Sequence, residues 1–349
     1  MTRTDQQHHI TRTLRNRLRA RTLIACTVFA LLLTALFVTT LLLGEAGLTA
    51  QEVLEAFTGQ ASSVVQFVVL ELRLPRALAA ALVGICLGTA GAIFQSVLRN
   101  PLASPDIIGI TAGSATAGII SVLLFHLSGL PLMLVVVAGG ILTSALVAAL
   151  AWRSGLHGFK LVLIGIGVAA VCTAITSYMM TKVELRDASL AYTWLTGSLA
   201  SVNSTTVTVA GIGAAACLVV LAFTHRTLRA LELGDNTALG LGFHVKRDRL
   251  VMLALGVVLT ALAVGVSGPI AFVALMAPHI ARNLVGGTSL SLVASAAVGG
   301  TLVSGADLIA QYILPGTPLP VGVVTGALGA PYLAWLLTRS ASSKLGASA

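Results

Sequence analysis

Charge is what this chain has least of. Only 9% of its 349 residues are Asp, Glu, Lys or Arg, where a soluble domain carries about a quarter. Acids are the scarcer sign, with 12 carboxylates against 21 basic side chains. A chain so poor in charge cannot clothe a water-soluble globule. Its hydrophobic share of 56% and mean hydropathy of +0.97 predict a polytopic membrane protein whose helices are solvated by lipid. Length alone would suggest two or three soluble domains, and the long apolar runs overrule that prior. In such a protein the net charge of +9 speaks of orientation across the bilayer, not of nucleic acid.

Cysteine is also scarce. Cys26, Cys86, Cys172 and Cys217 each lie inside an apolar run, with no CxxC spacing, which excludes a disulfide framework and predicts small buried hydrophobes. The seven histidines are scattered, and none pairs with another ligand four residues on, so no metal site is predicted. No G-x-x-x-x-G-K-[ST] loop is present, so the chain is not itself the enzyme that hydrolyses a nucleotide. Paired acids within the apolar runs are missing too, and Asp307 stands there alone. Ion-coupled carriers place ionisable groups near the membrane midplane, so a secondary transporter is the weaker alternative.

What the sequence has in plenty is uncharged runs. A crossing helix takes about 20 apolar residues. On that measure the runs divide into ten spans, near 23–43, 77–98, 107–127, 131–152, 161–181, 205–224, 250–267, 270–284, 289–310 and 321–338. Ser128-Gly129-Leu130-Pro131 and Val266-Ser267-Gly268-Pro269 supply turn signals that split two overlong runs. Residues 1–22 form a basic tail that resembles a signal peptide's basic region. The run after it ends in LLLGEAG without a small-residue cleavage pattern, and is expected to be a retained first helix. Residues 339–349 form a second tail. With both termini cytoplasmic, only Arg73, Arg76, Lys182 and Arg186 of the 21 basic residues fall outside, leaving 17 inside. That imbalance supports both the count and the orientation.

Three polar stretches interrupt this pattern. RNPLASPDIIG, Arg99 to Gly109, places two prolines and an aspartate between two uncharged runs. Ser104-Pro105-Asp106 has the chemistry of a helix start, so the stretch is at minimum a turn into the third span. The second is a basic loop, 225–249, read as a short helix, a Gly234-Asp235-Asn236 break and a second short helix ending at Gly242. A solvated loop at the headgroups would explain its charge, whereas its interior leucines suit the docking of a partner. The third is the outer pair Arg73 and Arg76. Being three residues apart they can share a helix face, and either headgroup anchoring or partner docking would suit them.

LRLPRALAAALVGICLGTAGAIFQSVLRNPLASPDIIGITAGSA, Leu72 to Ala115, resembles the signature of FecCD-type permeases, the membrane subunits of ATP-binding cassette (ABC) importers for ferric siderophores, haem and cobalamin. WLTGSL (Trp194 to Leu199), LGDNTALGLG (Leu233 to Gly242), GPIAFVALMAPHIARNLVG (Gly268 to Gly286) and LPVGVVTGALGAPYLAWLL (Leu319 to Leu337) follow in the family's order. The resemblance implies the all-α, ten-helix fold of cobalamin-permease-like type II importers. It implies a second permease subunit, two ATPase subunits that carry ATP and magnesium, and an extracytoplasmic binding protein, with no cofactor on this chain. Ferric siderophore is the expected cargo, with cobalamin or haem as the alternative. By resemblance, Leu231, Leu233, Gly234, Asp235, Leu239, Gly240 and Gly242 belong to the ATPase-coupling turn. Arg73 and Arg76 match the outer residues that meet the binding protein, and Asn100, Pro101 and Leu102 match an inner loop that narrows the path. Two positions depart from the family. Gln311 stands where an arginine is frequent, and Pro318-Leu319-Pro320 replaces a Glu-Leu-Pro. These changes favour a heterodimer, in which a non-identical partner supplies the missing charges.

Overall fold

A computed structural model describes residues 3–44, 47–152, 158–286, 291–314 and 316–345, and the described residues are helical with no strand. The ten expected spans coincide with helices α1 (Arg3–Leu42), α4 (Leu74–Leu98), α5 (Ile110–Phe125), α6 (Gly129–Trp152), α7 (Gly158–Met180), α9 (Ser204–Glu232), α11 (Val245–Ser267), α12 (Val273–Val285), α13 (Leu292–Tyr312) and α14 (Val321–Leu345). Among the described residues, seven helical stretches are long and apolar enough to cross a membrane. The α5 and α12 helices and the apolar part of α14 are shorter. Four short elements fill the connections. They are α2 (Ala50–Thr58), α3 (Ser63–Gln66), α8 (Leu185–Leu195) and α10 (Asp235–Gly240).

Several boundaries differ from expectation, each for a local reason. The basic residues before 23 are helical, since α1 runs unbroken from Arg3. The second span begins well before Ala77. Residues Ser63–Leu98 form one continuous helical stretch, and Phe67–Arg73 within it are wound as a π-helix. Such widened turns are rare, and this one ends at Arg73, whose contact with the end of α1 is described below. Outside this helix, α2 is fixed by a reciprocal cap. Thr49 receives the Glu52 N–H, and the Thr49 N–H and hydroxyl both donate to the Glu52 carboxylate at 2.8–2.9 Å. Those bonds hold Glu52 below the usual carboxylate range.

The core is the contact of α4 with α11 and α13. Glycines bring these axes close. A methyl on Gly84 would overlap the Gly299 carbonyl, and one on Gly91 would overlap the Ala274 carbonyl. In lipid, where apolar helices gain nothing from leaving water, such contact is what associates them. By contrast, only 11% of the apolar stretch of α7 is buried. Leu163, Ile166, Val171 and Tyr178 on α7, Tyr192 on α8, and Val323 and Trp335 on α14 are exposed.

Candidate docking and gating sites

The α4–α5 connection is built from the sequence upward. Helix α4 stops because Arg99 takes a left-handed backbone, φ 50°. Its N–H reaches the Ser96 carbonyl, and the Asn100 N–H reaches the Gln95 carbonyl at 3.1 Å, closing the helix with the paired bonds of a Schellman end. Asn100 then folds the chain back. Its side-chain oxygen accepts the Leu102 N–H at 2.9 Å and its carbonyl accepts the Ala103 N–H at 3.0 Å. Pro101, at the turn's second position, has no N–H to satisfy. Asn100 and Pro101 are exposed, Leu102 is half-buried, and Ala103 to Pro105 are buried.

Ser104 does not cap the third span, and α5 begins at Ile110 rather than Ile107. The chain makes one more turn. The Pro105 carbonyl accepts the Ile110 N–H, the Asp106 carbonyl accepts the Gly109 N–H, and the Asp106 carboxylate takes the Thr111 hydroxyl. Gly109 sits at φ 87°, a conformation that favours glycine. This turn lies against α7, where a methyl on Gly165 would come within 2.6 Å of the Ile108 carbonyl oxygen. The contact with Gly165 is long-range, and Ser104-Pro105 carries no trace of it.

The basic loop is shorter than the expected 225–249. Residues 225–232 continue α9, and 245–249 are the first turn of α11. Leu231 is therefore not part of a docking surface, since it is wholly buried in the main core. What projects is the remainder. Gly234, at φ 105°, breaks the chain, α10 follows, and Gly242 at φ 85° turns it into α11. Leu233, Leu239 and Leu241 are 65%, 58% and 59% exposed, while Ala238 anchors α10 beneath them. A methyl on Gly240 or Gly242 would meet nothing within 4 Å. Exposed leucines thus stand on and at both ends of a six-residue helix. Asp235, at the first turn of α10, accepts from Arg249 at 2.7 Å and from Arg99 at 3.1 Å, both on Oδ1.

At the opposite end of the bundle, the two arginines are used inside the fold. Arg73 is buried, and its Nη1 donates to the carbonyls of Leu41 and Leu42 at 2.7 and 3.1 Å. A cation there meets the negative end of α1. A side chain on Gly44 would occupy the place of the guanidinium. Arg76 grips Asp307 on α13 through Nε and Nη2, with Nη2 at 2.9 Å, and Gln311 donates to the same carboxylate at 2.8 Å. The pair therefore does not stand free on the outer surface as a shared face. Arg73 ties α4 to α1, and Arg76 ties α4 to α13. Nothing in the spacing alone could have revealed these partners, which lie 31 to 32 and 231 residues away in sequence. Among the described residues no three His, Cys, Asp or Glu side chains gather into a cluster that could hold a metal ion.

Known proteins are similar to this chain in sequence and fold. The chain is 42% identical over 301 residues to the ferric enterobactin transport system permease protein FepG of Escherichia coli (strain K12), covering 86% of this chain and 91% of that one. It is 38% identical over 304 residues to FepD, a second permease protein of the ferric enterobactin transport system in the same organism, covering 86% and 90%. A solved metal-chelate type ABC transporter in an inward-facing conformation superposes with a TM-score of 0.78 at 30% identity, covering 90% of this chain and 98% of that chain. The model of the FecCD transport family matches residues 31–339. This chain, with its π-wound second span, its self-closed α4–α5 turn and its projecting α10, belongs to the FecCD transport family.

Proposed function

We propose that this chain is the membrane-spanning permease subunit of an ATP-binding cassette importer that carries a ferric siderophore across the cytoplasmic membrane. The observation that carries the reading is the set of exposed leucines Leu233, Leu239 and Leu241 on and beside α10, in a chain whose residues 31–339 match a transport family. Exposed leucines beside basic side chains at one end of a membrane bundle suit a protein partner better than lipid or water. On this reading an ATPase subunit seats on α10 and binds ATP and magnesium itself. The α4–α5 turn at Asn100, Pro101 and Leu102 narrows the inner end of the path. A second permease packs against the sparsely buried α7. The likeness to both FepG and FepD, two permease proteins of one system by their names, supports a heterodimer. Their shared cargo supports a siderophore over haem or cobalamin. Both termini lie in the cytoplasm, and a binding protein delivers cargo at the outer rim. There Arg73 and Arg76 hold the helix ends that shape the landing surface.

The test is uptake of iron-55 enterobactin by cells lacking the gene, with and without the chain restored. Restored uptake that survives a protonophore but stops when the ATPase encoded with it loses its phosphate-loop lysine supports the reading. Uptake that collapses with the protonophore and ignores the ATPase variant would establish the ion-coupled alternative.

A further inference from the structure

The α9–α10 break is tied to the end of α4 by two parallel rungs. Ser96 donates to Glu232 Oε1 at 2.6 Å, and Arg99 Nη2 meets Asp235 Oδ1 at 3.1 Å. Each pair is separated by 136 residues, so the rungs sit three residues apart on both segments, in register. Between the two carboxylates lies Gly234, where a methyl would come within 3.2 Å of Arg99 Nη1. The bare backbone there lets the guanidinium lie against the break. Arg99 is also the left-handed residue that ends α4, and Asn100 follows it directly. A non-glycine residue in that conformation persists only where its surroundings hold it.

We infer that Ser96–Glu232 and Arg99–Asp235 form the linkage through which a displacement of α10 moves the constriction Asn100–Leu102. This rests on the docking and gating roles proposed above and deepens them. If α10 shifts, Asp235 shifts with it and draws on the guanidinium of Arg99, the residue that sets where Asn100 points. Arg249, on the same Asp235 oxygen, holds the carboxylate to α11 and fixes the direction of the pull. The Arg99–Asp235 rung is a poor candidate for simple stabilisation. Arg99 and Asp235 are 47% and 40% exposed, and ion pairs so exposed add little to stability. Ser96, Arg99 and Asp235 are positioning residues on this account, and none touches cargo.

The experiment uses the whole importer in proteoliposomes with Leu102→Cys as reporter and needs no cargo. Labelling of that thiol by a maleimide is timed without nucleotide and with ATP and vanadate. In the parent background the two rates should differ by about fivefold, as a shift between two populated states would give. Ser96→Ala with Arg99→Gln should bring the two rates to within about twofold of each other, while ATP hydrolysis and ATPase retention stay at parent levels. Arg99→Lys should restore most of the difference. If the double variant keeps the full difference, or loses it only in step with ATPase retention, the linkage is wrong. Asp235→Asn, which preserves shape, gives a second reading should the double variant fold poorly, and must also flatten the response. Equal rates in the parent itself would overturn the docking and gating roles, and this linkage with them.

Discussion

Arg76 and Asp307 join α4 to α13 by a forked contact, with Nη2 2.9 Å from Oδ1 and Nε 3.1 Å from Oδ2. The carboxylate is almost wholly buried, and the guanidinium retains a fifth of its exposure. Removing one partner strands the other's charge. Asp307→Ala should therefore destabilise the protein in detergent by about 3 kcal/mol, seen as a fall in melting temperature. The double variant with Arg76→Ala should recover part of that loss. If the loss in the double variant equals the sum of the losses of the two single variants, the pair contributes nothing by contact.

The leucines near α10 separate into two kinds that substitution can tell apart. Leu231 is fully buried and Leu239 is not. Leu231→Ala should cost about 2–5 kcal/mol, the loss typical of a core cavity. Gly240→Phe should leave the melting temperature unchanged, since the space beside Gly240 is open, yet weaken capture of the ATPase about tenfold, as for a residue at the centre of an interface. Full capture would remove α10 from the docking surface.

Close helix contact makes a separate prediction. Gly91→Ala forces a methyl into the Ala274 carbonyl, while Gly167→Ala on α7 meets nothing. The first should destabilise by about 1–3 kcal/mol through overpacking. The second should be neutral or slightly stabilising, because alanine favours helix over glycine. Equal melting temperatures for the two would contradict the packing of α4 against α12.

Orientation is read by paired thiols in a background free of the native cysteines. Gln60 and Leu241 are both exposed, at opposite ends of the bundle. An impermeant maleimide added to intact spheroplasts should label Gln60→Cys within minutes and spare Leu241→Cys until the membrane is opened. The reverse order would place both termini outside. His157, between the expected fourth and fifth spans and so on the expected inner side, lies outside the described residues, and Leu241 serves as the inner position.

Much of the fold was legible because lipid imposes one strong rule. Uncharged runs of span length become helices, and the ten helices fall where those runs lie. The ends were less legible, because charge and hydroxyl content do not decide where a helix stops. Arg73 and Arg76 look like headgroup or docking charges in the sequence, yet long-range partners on α1 and α13 claim them. Ser104-Pro105-Asp106 has the chemistry of a helix start, but Gly109 and the contact with Gly165 delay α5 until Ile110. Leu231 and Leu239 are chemically the same residue on one loop. Only the continuation of α9 through Glu232 decides which of them faces inward.

The turn at Asn100 has a consequence for water. Every main-chain N–H from Arg99 to Ala103 that exists finds its acceptor within the turn itself or in the last coil of α4, and Pro101 has none to offer. A segment wired this way owes water little. It can be pressed against another surface, dried and wetted again without breaking those main-chain bonds, whereas an ordinary loop would lose one solvent partner for each bare amide. Its opening and closing can then be set by how side chains such as Leu102, and the carbonyls of the turn, meet what lies opposite, with the amides keeping their partners in both states.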